Sequence, residues 1–397
     1  MDKKTICDVK VTGKRVLVRT DFNEPLDEKT GRLTDDIRIR AAVPTIEYLV
    51  NHGAKVILCS HLGRPKSKKE PLYSLANVAR RLSEILRQEV LLAPDCIGPE
   101  AEEAVFRMKD GDIVLLENLR FHPGEEKSDS AFIEALAKLG ELYVDDAFGT
   151  AHRAHASIVG IAKYLPAVSG LLLEKEVKTL GGVLQSPVHP FGLLLGGAKV
   201  SDKVALIENT MPKVDHIIIG GGMAASFLKA KNYEVGCSLL DGNVEMAAYL
   251  MEMADKHHVK IHLPEDVVVA DEIKDGSPSE IVPVNGIPAD KRIADIGPLT
   301  ISQFRKVLEK CKTVFWNGPM GVYEIPQFAD GTLSVAKAIA GLHATTIIGG
   351  GSTAEVVTLL KLNEHMSFVS TGGGASLEFL SGQMLPGVAA LLDKQLE

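Results

Sequence analysis

Cysteine and tryptophan are scarce in this chain, and long apolar runs are missing. The five cysteines, Cys7, Cys59, Cys96, Cys237 and Cys311, are odd in number and show no C-x-x-C spacing. Neither a disulfide framework nor a zinc knuckle is indicated, and the set reads as reduced core thiols. No stretch approaches the roughly 18 uninterrupted apolar residues of a membrane span, and the leading MDKKTICDVK has no apolar signal core. The expectation is a cytoplasmic protein without membrane attachment. An excess of positive charge is lacking too: the formal net charge of -8 argues against a general nucleic-acid binder. Any basic site must therefore be local.

What is present is ordinary globular material, 45% hydrophobic and 24% charged over 397 residues. Single cores rarely grow past about 250 to 300 residues, so two domains are expected. Short apolar runs alternate with helix-like stretches, the pattern of parallel α/β sheets, in which ligands gather beyond the carboxyl ends of the strands. Between the halves lies Gly170 to Leu184, where Leu173, Val177, Leu180 and Leu184 form one apolar helix stripe and Glu174 and Lys178 an i, i+4 pair. It reads as a connecting helix. The predicted divisions are 1–169, a linker helix at 170–185, 186–380, and a closing segment 381–397 packing back near the hinge or the first domain.

In the first half, the strand Arg15 to Thr20 delivers Asp21-Phe22-Asn23, and a helix starting near Asp36 carries Arg38, where the helix dipole gives a positive charge no benefit. The strand Lys55 to Ser60 delivers His61-Leu62-Gly63-Arg64-Pro65. Asp112 to Glu117 leads into Arg120, and Glu141 to Asp145 into a loop bearing His152, Arg153 and His155. Asp145, Asp146, His152 and His155 are a candidate metal set. Arg38, Arg64, Arg120 and Arg153 instead suit an anion bearing phosphate and carboxylate, which planar guanidinium binds in two-pronged fashion. A small phosphorylated acid is the predicted ligand.

In the second half, Phe191 to Leu195 leads into Gly196-Gly197-Ala198-Lys199, a near miss to the Walker A loop, with Lys199 and Lys203 expected on one helix face. Triple glycines follow three more strands, at Gly220-Gly221-Gly222, Gly349-Gly350-Gly351 and Gly372-Gly373-Gly374. No acidic residue closes a second strand about 20 residues after the first two, as a dinucleotide site requires, so nucleotide phosphates at helix starts are favoured. Thr313 to Trp316 is followed by Asn317-Gly318-Pro319, with Trp316 expected half buried and Glu324 suited to ribose hydroxyls. Phe379 to Leu392 reads as a final amphipathic segment.

Nine motifs in order, VRTDFNEPL, DDIRIRAAVPTI, SHLGRPK, LLENLRFHPGEE, DDAFGTAHRAHAS, LLGGAKVSDK, IIGGGMA, FWNGPMGVYE and STGGGAS, give the chain a full-length resemblance to bacterial phosphoglycerate kinases. The resemblance implies two Rossmann-like parallel-sheet domains joined by a helix and bending at a hinge. It implies phosphoryl exchange between 1,3-bisphosphoglycerate and ADP, giving 3-phosphoglycerate and ATP, with Mg2+ on the nucleotide, no permanently bound cofactor and a monomeric chain. Carried over by position, Asp21, Asn23, Arg38, His61, Arg64, Arg120 and Arg153 match the 3-phosphoglycerate contacts. Gly197, Lys203, Gly221, Asn317, Pro319, Glu324, Gly349, Gly350, Gly351, Ser352 and Thr353 match the nucleotide site. Arg38, Lys199, Gly351 and Gly373 match the positions that serve transfer. In the family the loop at Gly349 to Gly351 is usually followed by an aspartate for magnesium; here Ser352 stands, and Glu355 one turn on could compensate. Two alternatives are an NAD-dependent dehydrogenase and a non-enzymatic two-lobed anion-binding protein.

Overall fold

The computed structural model describes residues 2–27, 29–66, 69–240 and 244–394, and the closing segment expected at 381–397 is described as far as residue 394. The chain divides into two compact units, Met1–Lys178 with Met384–Glu397, and Thr179–Gln383.

The first unit is built on a six-stranded parallel sheet. Its strands are β1 (Arg15–Arg19), β2 (Lys55–Cys59), β3 (Val90–Leu92), β4 (Ile113–Leu115), β5 (Leu142–Asp145) and β6 (Ala167–Ser169), in the order β3-β4-β2-β1-β5-β6. Val18 lies opposite Leu58 on one side and Val144 on the other. Both faces are covered, so the strands are apolar almost throughout rather than alternating. Helix Ile37–Asn51 buries Ile39, Ala42, Ile46 and Leu49, a spacing of three, four and three that keeps one stripe on the sheet. Residues near 392 close the far edge: Leu392 N donates to Ala167 O at 2.9 Å, and Lys4 N to Leu392 O at 2.8 Å.

The second unit has a six-stranded parallel sheet of β7 (Phe191–Leu195), β8 (His216–Ile219), β9 (Lys260–His262), β13 (Thr313–Asn317), β14 (Thr345–Gly349) and β15 (Phe368–Val369), ordered β15-β14-β13-β7-β8-β9. Between β9 and β13 comes a small antiparallel sheet of β10 (Asp266–Ala270), β11 (Ser279–Pro283) and β12 (Arg292–Ile296). Two α/β units with parallel sheets are the architecture the alternating pattern predicts.

Several local expectations need correction. Trp316 is fully buried, not half buried, because β13 runs between β7 and β14 and its indole N-H finds Gly318 O at 2.8 Å. All five cysteines are free, but Cys7 and Cys237 are exposed and only the other three are core thiols. The connecting helix spans Leu171–Gln185; Leu173, Val177 and Leu180 are buried, yet at its end Val183 takes the buried place expected of Leu184. The segment 379–392 holds the end of one short helix and all of another: Gly374–Leu380 stops before Gly382, whose φ of +79° only glycine adopts without strain, and Pro386–Ala389 starts afresh.

Candidate functional site

The loops beyond the carboxyl ends of β4, β2, β1 and β5 bring the basic residues of the first unit to one sheet edge, because those four strands are neighbours. Asn23 ties two of these loops, its Oδ1 accepting from Gly63 N at 2.7 Å. Asp21 lies between His61 Nδ1 and Arg38 Nε, at 3.9 Å from each. Arg38 Nη1 donates to Asn23 O at 2.8 Å, leaving the side chain 32% exposed. Arg120 is mostly buried; its Nη1 donates to Gly63 O at 2.8 Å and its Nε pairs with Glu126 at 2.9 Å. Arg64 is exposed and Arg153 half buried, and neither has a carboxylate partner among the described residues.

The electrostatics of this edge favour an incoming anion. Burial, and then the charges of Arg19, Arg120 and Arg153, hold the His61 imidazole well below its usual range. Burial with Arg153 and Arg120 pulls His155 down to about 4. Burial first, and the neighbouring arginine charges second, keep both histidines neutral at pH 7.

Sequence reasoning missed three residues here. Arg19 is buried at the end of β1, where its Nη2 meets His61 Nδ1 at 3.1 Å and its Nε donates to Ser157 Oγ at 2.9 Å. A charge ending an apolar strand was the available signal. Buried Glu125 accepts from Ser157 N at 3.0 Å and Ser157 Oγ at 2.6 Å. Glu24 accepts at the start of helix Ile37–Asn51, and nothing in its local sequence marks it.

The candidate metal set is not assembled. Asp146 Oδ1 accepts from Leu172 N at 2.9 Å and Leu173 N at 3.3 Å, holding the start of helix Leu171–Gln185, and Asp145 Oδ1 accepts from Ala147 N at 3.0 Å. Among the described residues, the group close enough to share a cation is Asp95, Cys96 and His122. Its carboxylate is already used: Oδ1 meets His122 Nε2 and Cys96 N, each at 2.7 Å, and Oδ2 pairs with Lys69 at 3.1 Å. Burial opposes ionisation, but these contacts together hold Asp95 well below the usual carboxylate range.

In the second unit, a cavity of about 280 Å³ is lined by the loops after β7, β13, β14 and β15. It takes in Gly197, Lys199, Lys203, Asn317, Pro319, Gly350, Gly351, Ser352, Thr353 and Gly373 from the predicted set, and adds Asp202 and Leu377. Backbone approaches backbone here. A Cβ at Gly196 would lie 2.1 Å from Pro319 O, and one at Gly221 2.6 Å from Gly197 N. Gly197 N donates to Pro319 O at 2.9 Å and Met223 N to Gly197 O at 2.9 Å. Gly221 thus supports the cavity from behind without lining it.

Lys199 and Lys203 do not share a helix face: Lys203 N turns back onto Val200 O at 2.8 Å, and the helix Val204–Thr210 begins only afterwards. Lys203 is 8% exposed and donates to Asn317 Oδ1; burial pushes its pKa down. Lys199 is exposed, with no ion pair among the described residues. Thr353 Oγ1 accepts from Gly318 N at 2.7 Å. Gly349 packs against Phe315, behind the cavity. Glu324 is exposed and outside the lining. Ser352 is exposed beside the Tyr323 hydroxyl, which donates to Glu355 Oε2 at 2.9 Å.

One unit thus carries an arginine-rich loop edge and the other a glycine-lined cavity with two lysines. A family model described as phosphoglycerate kinase matches residues 6–383. The chain belongs to the phosphoglycerate kinase family. Phosphoglycerate kinases of Pelotomaculum thermopropionicum and Moorella thermoacetica are 53% and 52% identical to it over 395 residues, covering 99% of this chain and 100% of theirs. Solved phosphoglycerate kinase structures from Coxiella burnetii and Pyrococcus horikoshii superpose with a TM-score of 0.85, at 37% and 33% identity, covering 98% of each chain. The enzyme is a phosphotransferase that moves a phosphoryl group reversibly between 1,3-bisphosphoglycerate and ADP, giving 3-phosphoglycerate and ATP. The dehydrogenase and the non-catalytic binding protein find no support. Among the described residues, no helix is long and apolar enough to cross a membrane.

Proposed function

We propose that the arginine edge of the first unit binds 3-phosphoglycerate and that the glycine cavity of the second binds the nucleotide with its Mg2+. The observation that carries this reading is the pairing of unspent positive charge with polar anchors in each unit. Arg64 and Arg153 have no carboxylate partner among the described residues, and Lys199 has none beside the cavity.

In the ATP-consuming direction the attacking group is a carboxylate, ionised near neutral pH, so no general base is needed. Acceleration comes from alignment and from neutralising charge on the moving phosphoryl group. Arg38 and Lys199 take that part, with backbone N-H groups at Gly351 and Gly373 facing the nucleotide phosphates. His61, kept neutral, serves as a hydrogen-bonding partner rather than a charge. The acid and the nucleotide belong to different units in this reading, so hinge bending that brings them together is part of the proposal.

Magnesium arrives with the nucleotide. The residues present offer it hard oxygen donors, the Ser352 hydroxyl and, one turn along the helix Gly351–Leu359, the Glu355 carboxylate. The Tyr323 bond to Glu355 keeps that carboxylate close to Ser352. Whether the enzyme acts as a single chain is read from the same preparation by light scattering, with a monomer expected.

A coupled assay with 3-phosphoglycerate, ATP and varied Mg2+ tests the reading. Arg38→Ala is expected to lower kcat by about 10² to 10³, and Ser352→Asp to lower the Mg2+ concentration needed. Full activity in Arg38→Ala would sink the assignment of the arginine edge.

A further inference from the structure

Glu24 is 4% exposed, yet nothing in the phosphoryl-transfer chemistry requires a buried carboxyl there. Its two oxygens both address Arg38. Oε1 accepts from Arg38 N at 2.7 Å and from Ile39 N at 3.0 Å, filling two of the donors that a helix leaves unpaired in its first turn. Oε2 lies 3.7 Å from Arg38 Nη1. The formal N-cap, Asp36, bonds the Arg40 side chain rather than a helix N-H, and Asp35 Oδ1 accepts from Ile37 N at 3.2 Å, so the N-H groups of Arg38 and Ile39 are capped from fourteen and fifteen residues upstream. One carboxyl thus holds the backbone of Arg38 from one side and its guanidinium from the other.

We propose that Glu24 is a positioning residue for Arg38, and that its negative charge competes with the substrate anion for that guanidinium, making acid binding depend on pH. The inference rests on Arg38 belonging to the 3-phosphoglycerate site, as proposed above.

The charges facing Glu24 are Arg38, which favours its ionised form, and Asp35 in the preceding loop, which opposes it; Asp21 shares the Arg38 head. Burial is the largest influence and pushes the Glu24 carboxyl up to about 7, against the pull of the Ile39 N-H and Arg38. Its charge therefore changes across the neutral range. Protonated, Glu24 still holds the helix start through a neutral oxygen and leaves the Arg38 charge to the ligand. Ionised, it holds Arg38 more firmly and repels the anion. By linkage, a bound anion must in turn raise the Glu24 pKa.

The test is calorimetric binding of 3-phosphoglycerate between pH 5.5 and 8.5 to the wild-type enzyme, Glu24→Gln, Asp35→Asn and Arg38→Ala. The ligand phosphate titrates near 6 in every case, so the ratio of wild-type to Glu24→Gln Kd isolates the carboxyl. That ratio is expected near one at the acid end and about five- to tenfold at pH 8.5, while the Kd for ADP stays unchanged. A flat ratio, or an equal loss of both ligands as a merely structural role would give, overturns the proposal. Should Glu24→Gln lose its circular dichroism signature, Asp35→Asn decides alone: removing its charge must move the midpoint of the pH dependence downward, and an unmoved midpoint overturns the proposal. If Arg38→Ala binds 3-phosphoglycerate as tightly as wild type, it is the assignment of Arg38 to the acid site that fails.

Discussion

Lys203 illustrates what a single residue needs in order to serve a nucleotide. An ammonium this deeply placed is penalised by burial, and Asn317 Oδ1 is the neutral acceptor that keeps it in the cavity wall. Asn317→Ala removes that acceptor, and affinity for ADP is expected to fall by about tenfold, the size of one hydrogen bond to a charged group, with 3-phosphoglycerate binding unaltered. Unchanged ADP binding by calorimetry would mean that Lys203 needs no such anchor. Residues of this kind were partly legible in the sequence. Lys199, Arg64 and Arg153 sit in loops directly after strands, and topology alone places them. Glu24 was not, and Arg19 offered only a charge ending an apolar strand, because each acts through a partner brought close by folding, Arg38 fourteen positions on and His61 forty-two.

At the scale of elements, the start of helix Leu171–Gln185 depends on a side chain from a distant loop. Asp146 Oδ1 accepts from two N-H groups of its first turn, and a Cβ at Gly170 would lie 2.1 Å from that same oxygen, so only glycine lets the carboxylate reach the helix. Asp146→Ala leaves those donors unpaired and is expected to cost about 1–3 kcal/mol, as lost caps and buried orphan donors do. Urea unfolding measures it, and a cost under about 0.5 kcal/mol would show that water or another group replaces the cap. The helix itself was legible from its apolar stripe, and the parallel strands from apolar runs ending in functional loops. The antiparallel sheet of β10 to β12 was not picked out. β11 is a largely exposed strand, with none of the continuous apolar character that marks the buried ones. Trp316 was misjudged because burial depends on neighbouring strands, which the local sequence does not name.

Across the whole molecule, two sets of buried groups set how stability varies with pH. Burial pushes Asp145 up to about 6, and Asp146, Asp295 and Glu24 up to about 7. A carboxyl that keeps its proton longer when folded favours the folded state fully below its unfolded pKa near 4, and that advantage is lost as pH rises through the folded value. His155 and His262, pulled down to about 4 by burial, act oppositely: between there and about 6.5 the unfolded chain binds more protons, so stability rises with pH. Above about 6.5 the histidine contribution fades while that of the carboxyls with values near 7 persists. The urea midpoint is therefore expected to fall from pH 6.5 to 7.5, and to fall less in Asp146→Asn; a rise over that interval would mean the carboxyls are ionised well before neutrality.

The division of labour between the two units is the central claim, and a calorimetric titration of both ligands against two variants tests it most directly. Arg38→Ala should weaken 3-phosphoglycerate binding by about 10- to 100-fold and leave ADP binding within a factor of about two, while Lys203→Ala should do the reverse. If either substitution weakened both ligands alike, or if the pattern were inverted, the assignment of the acid to the arginine edge and of the nucleotide to the glycine cavity would be wrong.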